Sequence, residues 1–98
     1  MNISLDFDDT YTRDPQMWNK FINLAKLSGH NVYCVTFRFP EQSQQVYESI
    51  GQVIGNDCCY FTAYTAKRSY MQSKGIMIDV WIDDMPMLID AGANQGIV

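Results

Sequence analysis

Residues 2–10, Asn-Ile-Ser-Leu-Asp-Phe-Asp-Asp-Thr, pass within a few positions from a strand-prone apolar run to a cluster of carboxylates at Asp6, Asp8 and Asp9. A short strand over Asn2 to Phe7 that leads straight into acids is the reading this pattern supports. The same event recurs late in the chain, where Met77 to Ile82 reads as a strand ending in Asp83-Asp84. Two further β-prone runs lie between. Asn31 to Thr36 contains Val-Tyr-Cys-Val, an uninterrupted run of the kind found in strands covered on both faces, and Cys58 to Phe61 is the other.

Helical patterns separate these strands. Asp14-Pro15 supplies an N-cap followed by proline at the first helical position, and Trp18, Phe21, Ile22 and Ala25 recur at helical spacing until Ser28-Gly29. Pro40 and Glu41 open a second helix with an apolar stripe of Val46, Ile50, Val53 and Ile54, stopped by Gly55-Asn56. A shorter helix is predicted from Ala66 to Ser73, closed by Lys74-Gly75, and Pro86 begins a brief helical turn. Gly96-Ile97-Val98 is the only candidate for a marginal fifth strand. Strands alternating with helices predict a parallel sheet with right-handed crossovers, a minimal doubly wound, Rossmann-like α/β domain of three layers with helices on both faces. Ligands bind such sheets beyond the carboxyl ends of the strands, where strand order reverses. Asp6, Asp8, Thr36, Asp83 and Asp84 are therefore expected to meet at one edge.

A length of 98 residues predicts a single domain over 1–98, and a composition 47% hydrophobic with only 18% charged residues argues against disorder. The net charge is −4 and the basic residues are scattered, so neither a nucleic-acid groove nor an anionic membrane surface is indicated. No apolar run approaches membrane-spanning length, and Asp6, Asp8 and Asp9 interrupt the only apolar start, which speaks against a signal segment. Cys34, Cys58 and Cys59 are odd in number and sit in apolar runs, as reduced core thiols do; with His30 the only histidine and no Cys-x-x-Cys spacing, a structural zinc is not expected. Trp18, Phe21 and Trp81 are expected in the core, the six methionines as packing filler, and His30 as an exposed residue after a helix end. These features predict a cytoplasmic protein, in the host cytoplasm if the compact chain is viral. A domain this small buries a modest share of its surface, which predicts a homo-oligomer.

Two carboxylates one residue apart at a strand exit suit different tasks. Asp6 is placed to attack phosphorus and form an aspartyl-phosphate, while Asp8 would protonate the leaving group and then deprotonate the hydrolytic water. So many acids repel one another and repel a phosphate, so a divalent cation is expected, and an all-oxygen site suits Mg²⁺. Taken singly, Asp8 and Asp9 read equally well as turn residues, Asp83-Asp84 as a helix cap, Thr36 as an ordinary strand residue and Lys67 as a solvated helix charge. Their joint placement favours a site.

Leu5-Asp6-Phe7-Asp8-Asp9-Thr10 resembles the first motif of the haloacid dehalogenase (HAD) superfamily, Asp-x-Asp-x-Thr after a hydrophobic strand. Val35-Thr36 resembles the second motif, Lys67 the third, and Val80-Trp81-Ile82-Asp83-Asp84 the acidic fourth, so the likeness spans Ile3 to Asp84. The resemblance implies a HAD-like fold and a metal held by the Asp6 carboxylate, the Asp8 backbone carbonyl and Asp83, with Asp84 in support or as an alternative ligand. It implies that Thr36 hydrogen-bonds a phosphoryl oxygen and that Lys67 neutralises charge developing in the transition state. Lys74 is the competing lysine; Lys67 is preferred because it lies near the start of its helix. Thr10 closes the first motif, and Tyr11, Thr12 and Arg13 lie where the family places loop-and-flap elements, which implies contact with substrate. Phe37 and Arg38 follow Thr36 and are a candidate pair for stacking on a base and gripping a second phosphate, against the blander reading of a surface charge beside an aromatic.

Between Thr10 and Asn31, and between Thr36 and Cys58, there is room for a crossover helix but not for a cap domain. The site is then open to a large substrate or covered by a neighbouring subunit. The expected function is a Mg²⁺-dependent phosphatase acting on a phosphorylated small molecule, with a nucleotide or nucleotide-derived metabolite as a candidate. The alternative is a HAD-like binding protein that sequesters such a ligand without turnover; an intact Asp8 favours the enzyme. A third reading is an interaction module that retains the motifs as relics.

Overall fold

The structure, a computed structural model, describes residues 1–92. It is an α/β arrangement of four parallel strands and five short α-helices: β1 (Asn2–Leu5), α1 (Pro15–Leu27), β2 (Asn31–Thr36), α2 (Gln44–Glu48), α3 (Gly51–Ile54), β3 (Cys59–Phe61), α4 (Lys67–Ser73), β4 (Val80–Ile82) and α5 (Met87–Asp90). The strands lie in the order β3-β2-β1-β4, so the chain winds outward from β1 to β3 and then returns to the other side of β1. Residues 96–98, the candidate fifth strand, lie outside the described residues.

Alternation along the strands divides the core. Ile3 and Leu5 of β1, with Val32 and Cys34 of β2, pack against Ile22 and Ala25 of α1 and against Val46, Ile50 and Ile54. Tyr33 and Val35, one residue out of phase, join Met71 of α4, Ile78 and Trp81 in a second cluster. The sheet thus carries helices on both faces. Helices α1 and α4 have the stops their sequence announces: Asp14 accepts a hydrogen bond from the Met17 N–H at 3.2 Å, and Gly29 and Gly75 adopt φ of +86° and +77° just beyond α1 and α4.

Several boundaries differ from the sequence reading: the first strand, expected to reach Phe7, ends at Leu5, and the helix expected from Ala66 starts at Lys67. The continuous helix expected from Pro40 to Ile54 is a 3₁₀ turn (Pro40–Gln42) followed by α2 and α3. Its apolar stripe is correct, with Val46, Ile50 and Ile54 buried. Its continuity fails at Ser49, whose hydroxyl donates to the Gln45 carbonyl at 2.6 Å and whose backbone leaves helical values at φ −119°, ψ −96°. Gly51 then packs so closely on Asn56 that a Cβ would stand 2.5 Å from its Oδ1. The fourth strand, expected from Met77, starts at Val80, because Asn2 holds the preceding residues by irregular bonds to the Met77 carbonyl (2.8 Å) and the Asp79 carboxylate (2.7 Å). The third strand begins at Cys59, after a 3₁₀ turn over Asn56–Cys58.

Side chains distribute mostly as expected. Trp18 and Phe21 meet edge to face at 5.7 Å against the first cluster, and the three cysteines are free. The methionines are a correction: Met71 is buried, but Met1, Met17, Met77, Met85 and Met87 are exposed, Met1 at the first residue, Met17 and Met87 in first turns of helices and Met77 and Met85 in connecting loops. His30 is half-buried rather than exposed. No helix among the described residues is long and apolar enough to cross a membrane.

Candidate functional site

Strand register builds the site. Leu5 is paired with Ile82, and the Asp6 N–H donates to the Ile82 carbonyl at 2.9 Å, so Asp6 and Asp83 leave the sheet side by side. Leu5 is also paired with Cys34, which places Thr36 just beyond on the neighbouring strand. Lys67 opens α4 after the loop that follows β3. A cleft of about 120 Å³ results, lined by Asp6, Asp8, Thr36, Phe37, Lys67 and Asp83, together with Asp9, Asp84, Met85 and Leu88.

Lys67 is 1% exposed, an extreme for a lysine, and its Nζ stands 2.8 Å from Asp6 Oδ1 and 2.5 Å from Asp83 Oδ2. A cation in the first turn opposes the helix dipole, so this placement is explained by the two carboxylates and not by helix stability. Lys74 is exposed, with its Nζ 5.3 Å from the Tyr70 ring centroid. Of the two candidate lysines, the structure brings Lys67 to the acids.

Thr10 ties the two acidic segments together. Its hydroxyl lies 3.2 Å from both Asp6 Oδ2 and Asp84 Oδ1, and it accepts from the Asp84 N–H at 3.3 Å. One hydroxyl proton serves one carboxylate at a time. Asp6, Asp83 and Asp84 each offer an oxygen within 4.8 Å of the others, close enough to share a cation. Burial pushes the Asp6 carboxyl up to about 7, outweighing the attraction of Lys67. A hydrogen bond with Asp6 holds Asp84 below the usual carboxylate range.

Asp8 stands apart from this triad. Its carboxylate is exposed and held bidentately by Arg38, with Nε at 2.9 Å and Nη2 at 2.8 Å. Arg38 also donates to the Gln42 carbonyl at 3.1 Å and to Gln45 Oε1 at 2.9 Å, and lies 5.0 Å from the centroid of Phe7. Thr36 is buried at the cleft, where its Oγ1 accepts from the Arg38 N–H at 3.3 Å, and Phe37 lies 6.0 Å from Lys67 Nζ.

Tyr11 departs from the expectation of substrate contact. It is 2% exposed, stacks on Phe7 at 5.8 Å and donates its hydroxyl to Asn19 Oδ1 at 2.8 Å, so its ring belongs to the core. The cause is the 3₁₀ turn over Tyr11–Arg13, which folds back through bonds from Tyr11 N–H to the Asp6 carbonyl (3.2 Å) and from Thr12 N–H to the Phe7 carbonyl (3.1 Å). In the sequence Asp9 reads as a turn residue of the acidic cluster without a role at the site, and nothing singles out Met85 or Leu88. Asp9 adopts a left-handed φ of 62°, a conformation aspartate tolerates and an Asp-Asp turn hints at, whereas apolar Met85 and Leu88 carry no signal that separates a cleft wall from a core.

Comparison of the chain with protein-family models, with curated proteins and with solved structures yields no match in any of the three.

Proposed function

We propose that this chain is a Mg²⁺-dependent phosphohydrolase of the HAD type, without a cap domain, acting on a phosphorylated small molecule. The observation that carries the reading is Lys67, sealed between Asp6 and Asp83 beside a third carboxylate at the end of the sheet. Core lysines with no task are rare, and this one sits where a phosphoryl oxygen would need a positive charge. In the proposed reaction an Asp6 oxygen attacks phosphorus and the ester bond breaks, leaving an aspartyl-phosphate. The departing oxygen takes a proton from Asp8, which then removes one from the water that hydrolyses the intermediate. Asp8 must exchange Arg38 for the leaving group to do so. Thr36 and Lys67 hold the phosphoryl oxygens.

The donor set fits the ion. Asp6, Asp83 and Asp84 present hard oxygens within reach of one another, and each oxygen already in a hydrogen bond keeps a second lone pair. When bound, Mg²⁺ would offset the repulsion between these acids and an incoming phosphate. Phosphate release from a panel of phosphomonoesters, with Mg²⁺ and with chelator, tests the proposal; absence of metal-dependent release across the panel rejects it. Self-association is part of the same reading, and light scattering at micromolar concentration checks it.

One observation favours the second reading, a protein that binds a phosphorylated ligand without turnover. Asp8, the intended proton shuttle, is held by Arg38 through two short hydrogen bonds. Ligand-dependent thermal stabilisation without phosphate release would select that reading.

A further inference from the structure

Beside the acidic cleft a second cavity of about 340 Å³ opens, lined by Asp8, Phe37, Arg38, Gln42 and Tyr64. Asp8 and Phe37 also line the first, so the two are adjacent. Two aromatic rings line it, Tyr64 and Phe37 at 5.7 Å from each other, and Phe39 packs on Tyr64 at 5.0 Å from outside the lining. Tyr64 and Phe39 are nevertheless 49% and 39% exposed, and each thus presents ring surface that no neighbour covers.

The loops bearing these rings are fixed. Tyr64 N–H donates to the Phe37 carbonyl at 3.1 Å, Ala63 N–H donates to the Arg38 carbonyl at 3.2 Å, and Phe39 N–H donates to Gln42 Oε1 at 3.0 Å. Ala63 and Tyr64 both adopt left-handed backbone, φ 52° and 67°, which is unfavourable for residues other than glycine and persists only where the surroundings impose it. A strained loop thus holds an exposed tyrosine at a cavity adjacent to the acidic cleft.

Resting on the phosphohydrolase reading for the phosphate end of the ligand, we propose that this cavity is a nucleobase subsite and that the ligand is a nucleoside monophosphate. Aromatic faces stack on bases and give a bare sugar phosphate nothing comparable. Arg38 and Gln42 supply polar groups at the rim for the base edge or ribose.

The test compares adenosine and uridine 5′-monophosphate with ribose 5-phosphate, which keeps the phosphate and sugar but lacks the base. If the wild type hydrolyses any of them, the ratio of kcat/KM is read; if it hydrolyses none, the ratio of dissociation constants by calorimetry is read. The better nucleotide is expected to exceed ribose 5-phosphate by about tenfold, the scale of one base stack. Tyr64→Leu should bring that ratio close to one and Tyr64→Phe should retain it. If Tyr64→Leu does not fold by circular dichroism, Phe37→Leu, the other aromatic lining the cavity, takes its place. A wild-type ratio below about threefold, no measurable binding of either nucleotide, or a preference untouched by the leucine variant overturns the subsite. Equal hydrolysis of all three compounds rejects the subsite and leaves the phosphohydrolase standing; selective nucleotide binding without hydrolysis does the reverse.

Discussion

Lys67 Nζ lies 2.5 Å from Asp83 Oδ2, and both side chains are 2% exposed. With Asp6 on its other side, the lysine is the counter-charge that lets two carboxylates stand at a buried strand edge. Lys67→Met keeps the length of the side chain and removes the charge. Breaking a buried pair in this way costs about 3–5 kcal/mol, because the remaining carboxylates lose their partner. A urea midpoint well below wild type is the expected result, and adding Asp6→Asn should recover part of the loss. A single variant as stable as wild type would show that the lysine is not compensating these acids.

Asp6 makes metal-free stability depend on pH. Its carboxyl is raised from 3.8 to about 7 in the fold, so between these values the unfolded chain ionises while the folded protein holds its proton. This group therefore lowers stability as pH rises from about 4 to about 7, and adds no further change above. Asp84, displaced downward, contributes in the opposite sense. Thermal melts in chelator should show a shallower decline across the window for Asp6→Asn than for wild type. Identical pH profiles would contradict the burial of an acid here.

Asp8→Asn separates chemistry from folding. The Asp8–Arg38 pair is exposed on the aspartate side, and such pairs contribute roughly 0–1 kcal/mol, so the melting temperature should move little. Loss of a proton-transferring group lowers turnover by about 10²–10⁴-fold. Undiminished phosphate release from a folded Asp8→Asn protein would remove Asp8 from the reaction.

Asp83→Asn tests the cation. The acidic sequence cluster alone predicts that this change stabilises the metal-free protein by relieving repulsion. The contact with Lys67 reverses that expectation: the metal-free variant should melt lower than wild type, because it leaves the buried lysine with one carboxylate fewer. Its response to Mg²⁺ should also shrink, since one of the three clustered carboxylates loses its charge. Melting curves with and without millimolar Mg²⁺ measure both effects; an unchanged Mg²⁺ response would place the ion elsewhere.

The sequence by itself determined the order of strands and helices, the caps at Asp14 and Gly29, and the meeting of Asp6, Thr36 and Asp83 at one edge. These follow from local periodicity and from parallel strands, which carry all their carboxyl ends to the same side. Only the tertiary structure decided that Lys67 is buried between two acids, that Asp8 is held by Arg38 from 30 residues away, and that Thr10 bridges to Asp84 from 74 away. It also turned Tyr11 into the core and broke the helix at Ser49. The contacts of Lys67, Asp8 and Thr10 depend on strand register and on which side chains lose water together, and neither quantity is encoded in the spacing of residues along the chain.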